Sequence, residues 1–372
     1  MVDRLLVFVD ALPYASLEEA PFLRSLPSVA RLVPGLGYSV NVKAEIFGGY
    51  RPDDAGFFCE WMYDPEGGGG RRWLWSVLAR VSPAGTYWDR ALHKMVSRLL
   101  RVELANIPWA LRGQFQKAPV NAYEDGFPLP TVFSRLRGLR KVLYSYYPGG
   151  TDRDRSAVAD AREAVRTRAC ERLFLALADL DHVTHRVGVG LPEHRAKVRS
   201  LDASLRELAE ECWTINGAAQ VMVVSDHGMA NTRRTVAPHL DRHFGRPSER
   251  GYAYFVDATL LRVWTAQPGL AEEVVQHLAG LGWGHSLSVE ERQRYGLTAS
   301  RFGDIIFLLD EGLVFSPNFF GVRPPRAMHG YAPELESQHG VVAASASLPG
   351  SPSSLTSVEA HWALREFFAA EA

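Results

Sequence analysis

The chain has 372 residues, 47% of them hydrophobic, and a formal net charge of −1. That is enough apolar material for a sizeable core, in one large domain or two modest ones, and the near-zero charge gives no footprint of a global nucleic-acid binder. Three scattered cysteines, Cys59, Cys170 and Cys212, form no CxxC pair and argue against a disulfide framework or a zinc knuckle.

In chain order, the run from Leu5 to Val9 is continuously apolar, as expected of a strand buried on both faces. It is too short for a signal core and is followed by Asp10. No later run approaches the roughly 20 residues of a membrane span, so no span and a reducing, cytoplasmic location are expected. Residues 40–47 suit a short helix with Ser39 at its N-cap, ended by Gly48-Gly49-Tyr50-Arg51-Pro52. From Phe57 to Gly150 there are 13 Lys+Arg against 7 Asp+Glu and many aromatics, a basic insertion within a mildly acidic body. The four glycines 67–70 read as a joint in it, and Trp73 to Leu111 reads mostly as helix.

Asp152 to Arg168 looks amphipathic. Arg172 to Leu180 reads as a second buried strand that ends at Asp181. Residues 192–213 carry Val198, Leu201, Leu205, Leu208 and Cys212 on one helical face. A third strand over 220–224 runs into Ser225-Asp226-His227-Gly228-Met229, where the glycine is expected to let the backbone turn. Residues 234–318 form a second insertion, with strands near 252–256 and 304–309 and a helix near 272–281. A loop rich in Gly, Pro and His covers 316–340, and a helix over 357–369 closes the chain. Strand, helix and strand in this order make an α/β fold with a largely parallel sheet.

Acids and histidines recur just after the buried runs: Asp10, then Asp181 and His185, then Asp226 and His227, with His329 in a later Gly-rich loop. Parallel strands bring their C-terminal ends to one edge. Three carboxylates and three imidazoles there suffice for two metals, which can clamp the attacking and leaving oxygens of an in-line phosphoryl displacement. Ser39, at a helix N-terminus that favours phosphate, is the candidate nucleophile. His339 is a rival to His329, which has the better context in Met328-His329-Gly330-Tyr331. The first insertion has two readings: its arginines, with a ring from Trp61, Trp73 or Trp75, meet the phosphate and an organic leaving group, or its aromatics build a small lid core under a solvated basic face.

These residues resemble the type I phosphodiesterase/nucleotide pyrophosphatase branch of the alkaline phosphatase superfamily. The resemblance rests on Ser225-Asp226-His227-Gly228-Met229, on Asp181-His182-Val183-Thr184-His185-Arg186-Val187-Gly188, on the His329 loop, on Val7-Phe8-Val9-Asp10, and on Gly48 to Gly56, which resembles the family's T-G-x-x-P-x-x-H-G. Counting back from that segment, the family's nucleophilic threonine falls on Ser39. Ala55 stands where the family has histidine, and the family's asparagine near the nucleophile is not at its usual offset, with Asn41 and Lys43 as nearby substitutes at the phosphate.

The resemblance implies a three-layer alkaline-phosphatase-like sandwich with a lid insertion. It further implies a single catalytic domain over 1–372 with insertions at 57–150 and 234–318. One metal would be held by Asp181, His185 and His329, the other by Asp10, Asp226, His227 and Ser39. Zinc suits the donors best, with manganese or magnesium as alternatives. The implied activity is hydrolysis of small phosphodiesters or nucleotide-type pyrophosphates through a phosphoseryl intermediate. A phosphomonoesterase or phosphonate hydrolase is the rival on the same scaffold, and a metal-stabilised binding protein the rival of a different class. No nucleic-acid polymer is expected as partner, and a sulfatase lacks its C-x-P-S-R motif here.

Overall fold

The computed structural model describes residues 1–66, 72–81, 87–100, 105–147, 152–247, 251–348 and 350–369. The glycine joint 67–70 lies outside the described residues. Two compact units emerge: Met1–Arg51 with Pro119–Asn231 and Pro325–Ala372, and Pro52–Ala118 with Thr232–Pro324.

The first unit is built on a seven-stranded sheet. Its strands are β1 (Arg4–Val9), β2 (Ser28–Val33), β3 (Leu139–Leu143), β4 (Arg172–Leu177), β5 (Gln220–Ser225), β6 (Gly340–Ala344) and β7 (Ser354–Thr356). The spatial order is β7-β2-β6-β5-β1-β4-β3. β1 pairs in parallel with both β4 and β5, and β6 runs antiparallel to its two neighbours. Five helices matter for the site: α1 (Ser39–Gly48), α2 (Arg153–Arg166), α3 (Asp179–Val187), α4 (Pro192–Ile215) and α5 (Ser357–Ala369).

Side-chain alternation explains the layers. Leu5, Val7 and Val9 of β1 join Leu173, Leu175 and Leu177 of β4 in one cluster with Ala157, Ala161, Val198, Leu205 and Leu208 of α2 and α4. Phe8 points to the other face, where it meets Phe47 of α1 edge-on at 5.6 Å, and Phe47 meets Phe174 at 5.6 Å. A strand that is apolar at every position therefore has a helical layer on each side, which is the expected three-layer α/β arrangement. Cys212 lies in the α4 core, as its helical spacing implies.

Three local expectations change. The second strand stops at Leu177, and Asp181 and His185 lie on α3. The buried Asp154 carboxylate accepts from the backbone N–H of Ala178 (2.9 Å) and Asp179 (3.0 Å), satisfying donors at the start of α3 and turning the chain out of the sheet. Residues 139–143, inside the expected first insertion, are instead strand β3 of the main sheet, paired in parallel with β4. Tyr123 and Phe133 likewise pack on Phe8, Phe47 and Phe174. Gly228, finally, does not adopt positive φ. Its need for glycine is space, because a Cβ there would sit 2.3 Å from the Ser337 carbonyl oxygen.

The second unit joins parts of both expected insertions. A four-stranded antiparallel sheet (Tyr252–Val256, Leu260–Thr265, Ile305–Leu309 and Gly284–Ser286) accompanies an antiparallel pair of short strands, Trp61–Tyr63 and Phe115–Lys117. Buried Arg262 ties them, bonding Asp257 at 3.0 Å and the Trp61 carbonyl at 2.9 Å. Trp61 and Trp75 are buried; Trp75 stacks on Trp109 at 5.6 Å, and the Arg112 guanidinium lies 4.7 Å over Trp61. Of the three rings expected to face a leaving group, only Trp73 is exposed. Among the described residues no helix is long and apolar enough to cross a membrane.

Candidate active site

The parallel register of β1, β4 and β5 places Val9 level with Leu177 and with Ser225. The residues that follow these strands therefore meet at one sheet edge. Asp10, Asp226 and His227 are buried there. The turn after β1 is held in a demanding conformation: Ala11 has φ 60° and donates its N–H to Asp226 Oδ1 at 3.2 Å. A left-handed alanine beside an acidic cluster is the kind of local strain that accompanies working sites. The His227 N–H reaches the same oxygen at 3.1 Å, so Asp226 Oδ1 is fixed and Oδ2 is left facing inward.

His329 arrives by a short ladder in which Ala327–Met328 pairs antiparallel with Ala230–Asn231. Its loop is held by Gln338, whose Oε1 accepts from the N–H of Gly330 (2.9 Å) and Tyr331 (3.2 Å). The Gln338 carbonyl accepts from Gly228 N–H at 2.9 Å. One buried glutamine thus braces both histidine loops. The His329 ring stacks on His227 at 3.7 Å and meets Tyr38 edge-on at 5.5 Å. His339 belongs to neither compact group of candidate metal donors. His182 is exposed on α3, while Thr184 is buried and bonds the Leu180 carbonyl.

Among the described residues, two sets of donor atoms each lie within 4.8 Å of one another: Asp10, Asp226 and His227, and Asp181, His227 and His329. The first matches the expected trio. In the second, His227 stands where His185 was expected, because its ring lies flat against His329. His185 is adjacent, with Nε2 3.2 Å from Asp181 Oδ1.

Tautomers follow from the backbone. His185 Nδ1 lies 2.8 Å from the Ala327 carbonyl and His227 Nδ1 lies 3.1 Å from the Gly228 carbonyl. A carbonyl oxygen only accepts, so each Nδ1 carries its proton. At His185 burial works against the charged ring, but Asp181 outweighs it and holds the imidazole above its ordinary value, so Nε2–H donates to Asp181 Oδ1 where a cation would otherwise sit. Histidines anchored in this way are the form that holds a metal. Asp10 Oδ1 and Asp226 Oδ2 are buried and accept no hydrogen bond, a costly state for a carboxylate that a cation would relieve. These groups fit divalent metal ions.

Ser39, expected at the N-cap, is instead the first residue of α1, and the N-cap is Tyr38. Its Oγ lies 2.9 Å from His227 Nε2. One helical turn on, the same face carries Lys43, whose Nζ bonds Asp10 Oδ2 at 2.7 Å and lies 5.1 Å from the Phe8 ring centre. Neither expected substitute is spare for a phosphate oxygen. Asn41 closes the turn before α1, accepting from Tyr38 N–H (3.0 Å) and donating to the Leu36 carbonyl (2.8 Å), and Lys43 is committed to Asp10.

The electrostatics are those of crowded charge. Burial pushes the Asp10 carboxyl up to about 6, and the Asp226 charge adds to it against the pull of Lys43. Burial also works against the Lys43 ammonium, but Asp10 and its neighbours hold it well above the ordinary lysine value. For Asp181, burial is outweighed by His185, His227 and Lys43, and its carboxyl lies below the usual range. Burial, then the nearby His227, His185 and Lys43, drives His329 well below the usual imidazole value, so it is neutral and able to ligate.

Lys43 and Gln338 are the site residues whose roles the sequence reading did not assign. The signal for Lys43 was its four-residue spacing from Ser39. Gln338 carried no local signal, because its role is to bridge two loops distant in sequence.

Solved structures share this fold. Murine ectonucleotide pyrophosphatase/phosphodiesterase 5, one structure of which is an inactive form in complex with AMP, aligns over 100% of this chain and 96% of its own at 16% identity, with a TM-score of 0.65. The human protein of that name aligns over the same shares at 15% identity, with a TM-score of 0.68. Phosphonoacetate hydrolase from Sinorhizobium meliloti 1021, in complex with phosphonoacetate, aligns over 100% and 96% at 16% identity, with a TM-score of 0.62. No curated protein sequence matches the chain. The family model for type I phosphodiesterase/nucleotide pyrophosphatase matches residues 46–332, most of the chain and a span that holds Asp181, His185, Asp226, His227 and His329. The chain therefore belongs to the type I phosphodiesterase/nucleotide pyrophosphatase family, metal-dependent hydrolases of phosphoric ester bonds within the alkaline phosphatase superfamily.

Proposed function

We propose that this protein hydrolyses small phosphodiesters or nucleotide-type pyrophosphates through a phosphoseryl intermediate at a two-metal site. The observation that carries the reading is Ser39 Oγ at the start of α1, 2.9 Å from His227 Nε2 and beside the Asp10–Asp226 carboxylate pair. Asp10, Asp226, His227 and Ser39 would hold one divalent ion, and Asp181, His185 and His329 the other, with zinc favoured by the mixed imidazole and carboxylate donors. The ions, when bound, supply positive charge for the phosphoryl oxygens and favour the ionised hydroxyl.

The chain's own groups do the rest. His227, anchored through Nδ1–H on the Gly228 carbonyl, sets its Nε2 beside Ser39 Oγ, so that both would face the same ion. Ser39 gives up its hydroxyl proton and Oγ attacks phosphorus as the bond to the leaving oxygen breaks and that oxygen takes up a proton; water then attacks the seryl phosphate, its OH going to phosphorus and its proton to Oγ, which restores the hydroxyl. The positive end of α1 favours the phosphate charge as it is passed to Ser39.

A second reading, hydrolysis of phosphomonoesters or phosphonates, is supported by the fold shared with phosphonoacetate hydrolase. Rates on bis(p-nitrophenyl) phosphate and p-nitrophenyl phosphate separate the two. Faster diester cleavage supports the first reading, a reversed preference moves the assignment to the second, and no turnover of any phosphate or phosphonate ester by metal-loaded protein overturns both.

A further inference from the structure

The second unit carries an apolar surface that the phosphohydrolase reading leaves unused. Two helices, Arg72–Val81 and Tyr87–Leu100, pack one side of each against Trp109: Trp75 and Val96 are buried with it, and Leu74, Leu78, Leu92 and Leu100 close around them. A core-facing helix ordinarily turns polar residues outward. Here a second side of each is apolar and in solvent. Trp73, Val77 and Val81 follow one another at four-residue spacing, exposed by 69%, 47% and 68%. Trp88, Met95 and Leu99 follow at seven and four, exposed by 77%, 57% and 77%. These spacings put each trio on one helical stripe.

Beside the stripes the charge is of one sign. Residues 71–101 hold seven Lys+Arg and a single acid, Asp89, and Asp89 is buried beside His93. Arg80, Lys94 and Arg98 are exposed. On the second helix, Lys94 and Arg98 lie about 80–120° around the axis from the Trp88–Met95–Leu99 stripe. Apolar stripes with tryptophan, bordered by arginine and lysine, have the composition of helices that lie in a membrane interface. A second copy of this chain fits less well, since a two-fold contact would set two strongly basic surfaces face to face.

We propose that these two helices dock on an anionic phospholipid surface. The Trp73 and Trp88 stripes enter the boundary between headgroups and acyl chains, and Arg80, Lys94 and Arg98 meet lipid phosphates. The inference is independent of the chemistry at Ser39.

The test is flotation of the full chain with extruded vesicles of phosphatidylcholine, with and without phosphatidylglycerol, read together with tryptophan emission. The expected result is binding to the anionic vesicles only, a blue shift of emission, and release by salt. Exchanging Arg80, Lys94 and Arg98 for glutamate lowers the vesicle affinity by roughly 100-fold. The variant Trp73→Ser, Trp88→Ser, Leu99→Ser abolishes the blue shift. All six positions are exposed, and thermal unfolding checks that both variants fold; if one does not, the lipid and salt dependence of the native chain decides alone. Absence of binding to anionic vesicles, or equal binding to neutral ones, overturns the proposal. So does a concentration-dependent dimer that the tryptophan variant abolishes while vesicles bind nothing, which would assign the face to a second copy.

Discussion

At the sheet edge of the first unit, Asp10, Lys43, Asp226 and His227 are buried together. On the helices of the second unit, Trp73, Trp88 and Leu99 stand in solvent. Each region inverts the usual partition of charge to the outside and hydrocarbon to the inside. The burial costs differ. Desolvated carboxylates demand partners of opposite sign, and the protein supplies one of its own in Lys43 and leaves two oxygens, Asp10 Oδ1 and Asp226 Oδ2, without a hydrogen bond. Exposed indole and leucine cost less and ask only for an apolar surface to cover them. What each region lacks thus points to its ligand: cations at the sheet edge, a lipid boundary at the helices.

The sharpest way to break this contrast is to remove a carboxylate. Asp226→Ala is expected to lower turnover by at least about 1,000-fold together with the metal content, read by elemental analysis of the same sample. Loss of turnover with full metal content would separate Asp226 from the ions. Next, Lys43→Met should destabilise the metal-free protein by about 3–5 kcal/mol, since it strands the Asp10 charge. The loss should shrink on metal loading, because added cations replace the missing one; denaturant titrations with and without metal check this.

A milder effect comes from Glu45, whose buried carboxyl is pushed up to about 8 by burial against the opposing bond from Ser357. The folded state holds this proton more tightly than the unfolded state does. Stability therefore falls as pH rises from the unfolded value of 4.5 towards about 8, at up to about 1.4 kcal/mol per unit, and the penalty is complete above that. Glu45→Gln should flatten the fall, seen as unfolding midpoints that converge at low pH and separate at high pH. The smallest effect sharpens the other side of the comparison. Trp73→Ser should change folding stability by no more than about 0.5 kcal/mol, because its side chain leaves the core untouched. A larger loss in thermal unfolding would make Trp73 a core residue.

Much of the first unit was legible in the chain. Leu5–Val9 and 221–224 read as buried strands because every position is apolar, and α4 because Val198, Leu201, Leu205 and Leu208 share a face. The motif around Asp226 located the sheet edge because ligands follow buried strands. The second strand was read too long, since Ala178 and Leu180 carry its apolar run past Asp179 and the break depends on Asp154, a partner more than twenty residues upstream. β3 was missed because its pattern, L-R-K-V-L, is too polar at the centre to stand out from a basic insertion. Lys43 was visible as a residue but not as an ion pair, because its partner comes from β1. The division between units was hidden for the same reason: Arg262 joins segments some 200 residues apart.

The central claim is that Ser39 takes the phosphoryl group at a metal-loaded site. Its most direct test is the turnover of bis(p-nitrophenyl) phosphate by native protein and Ser39→Ala, each with its metal content measured. The account predicts a rate loss of at least about 1,000-fold in the variant while most of the metal is retained by the remaining carboxylates and imidazoles. Equal rates at equal metal content would contradict it.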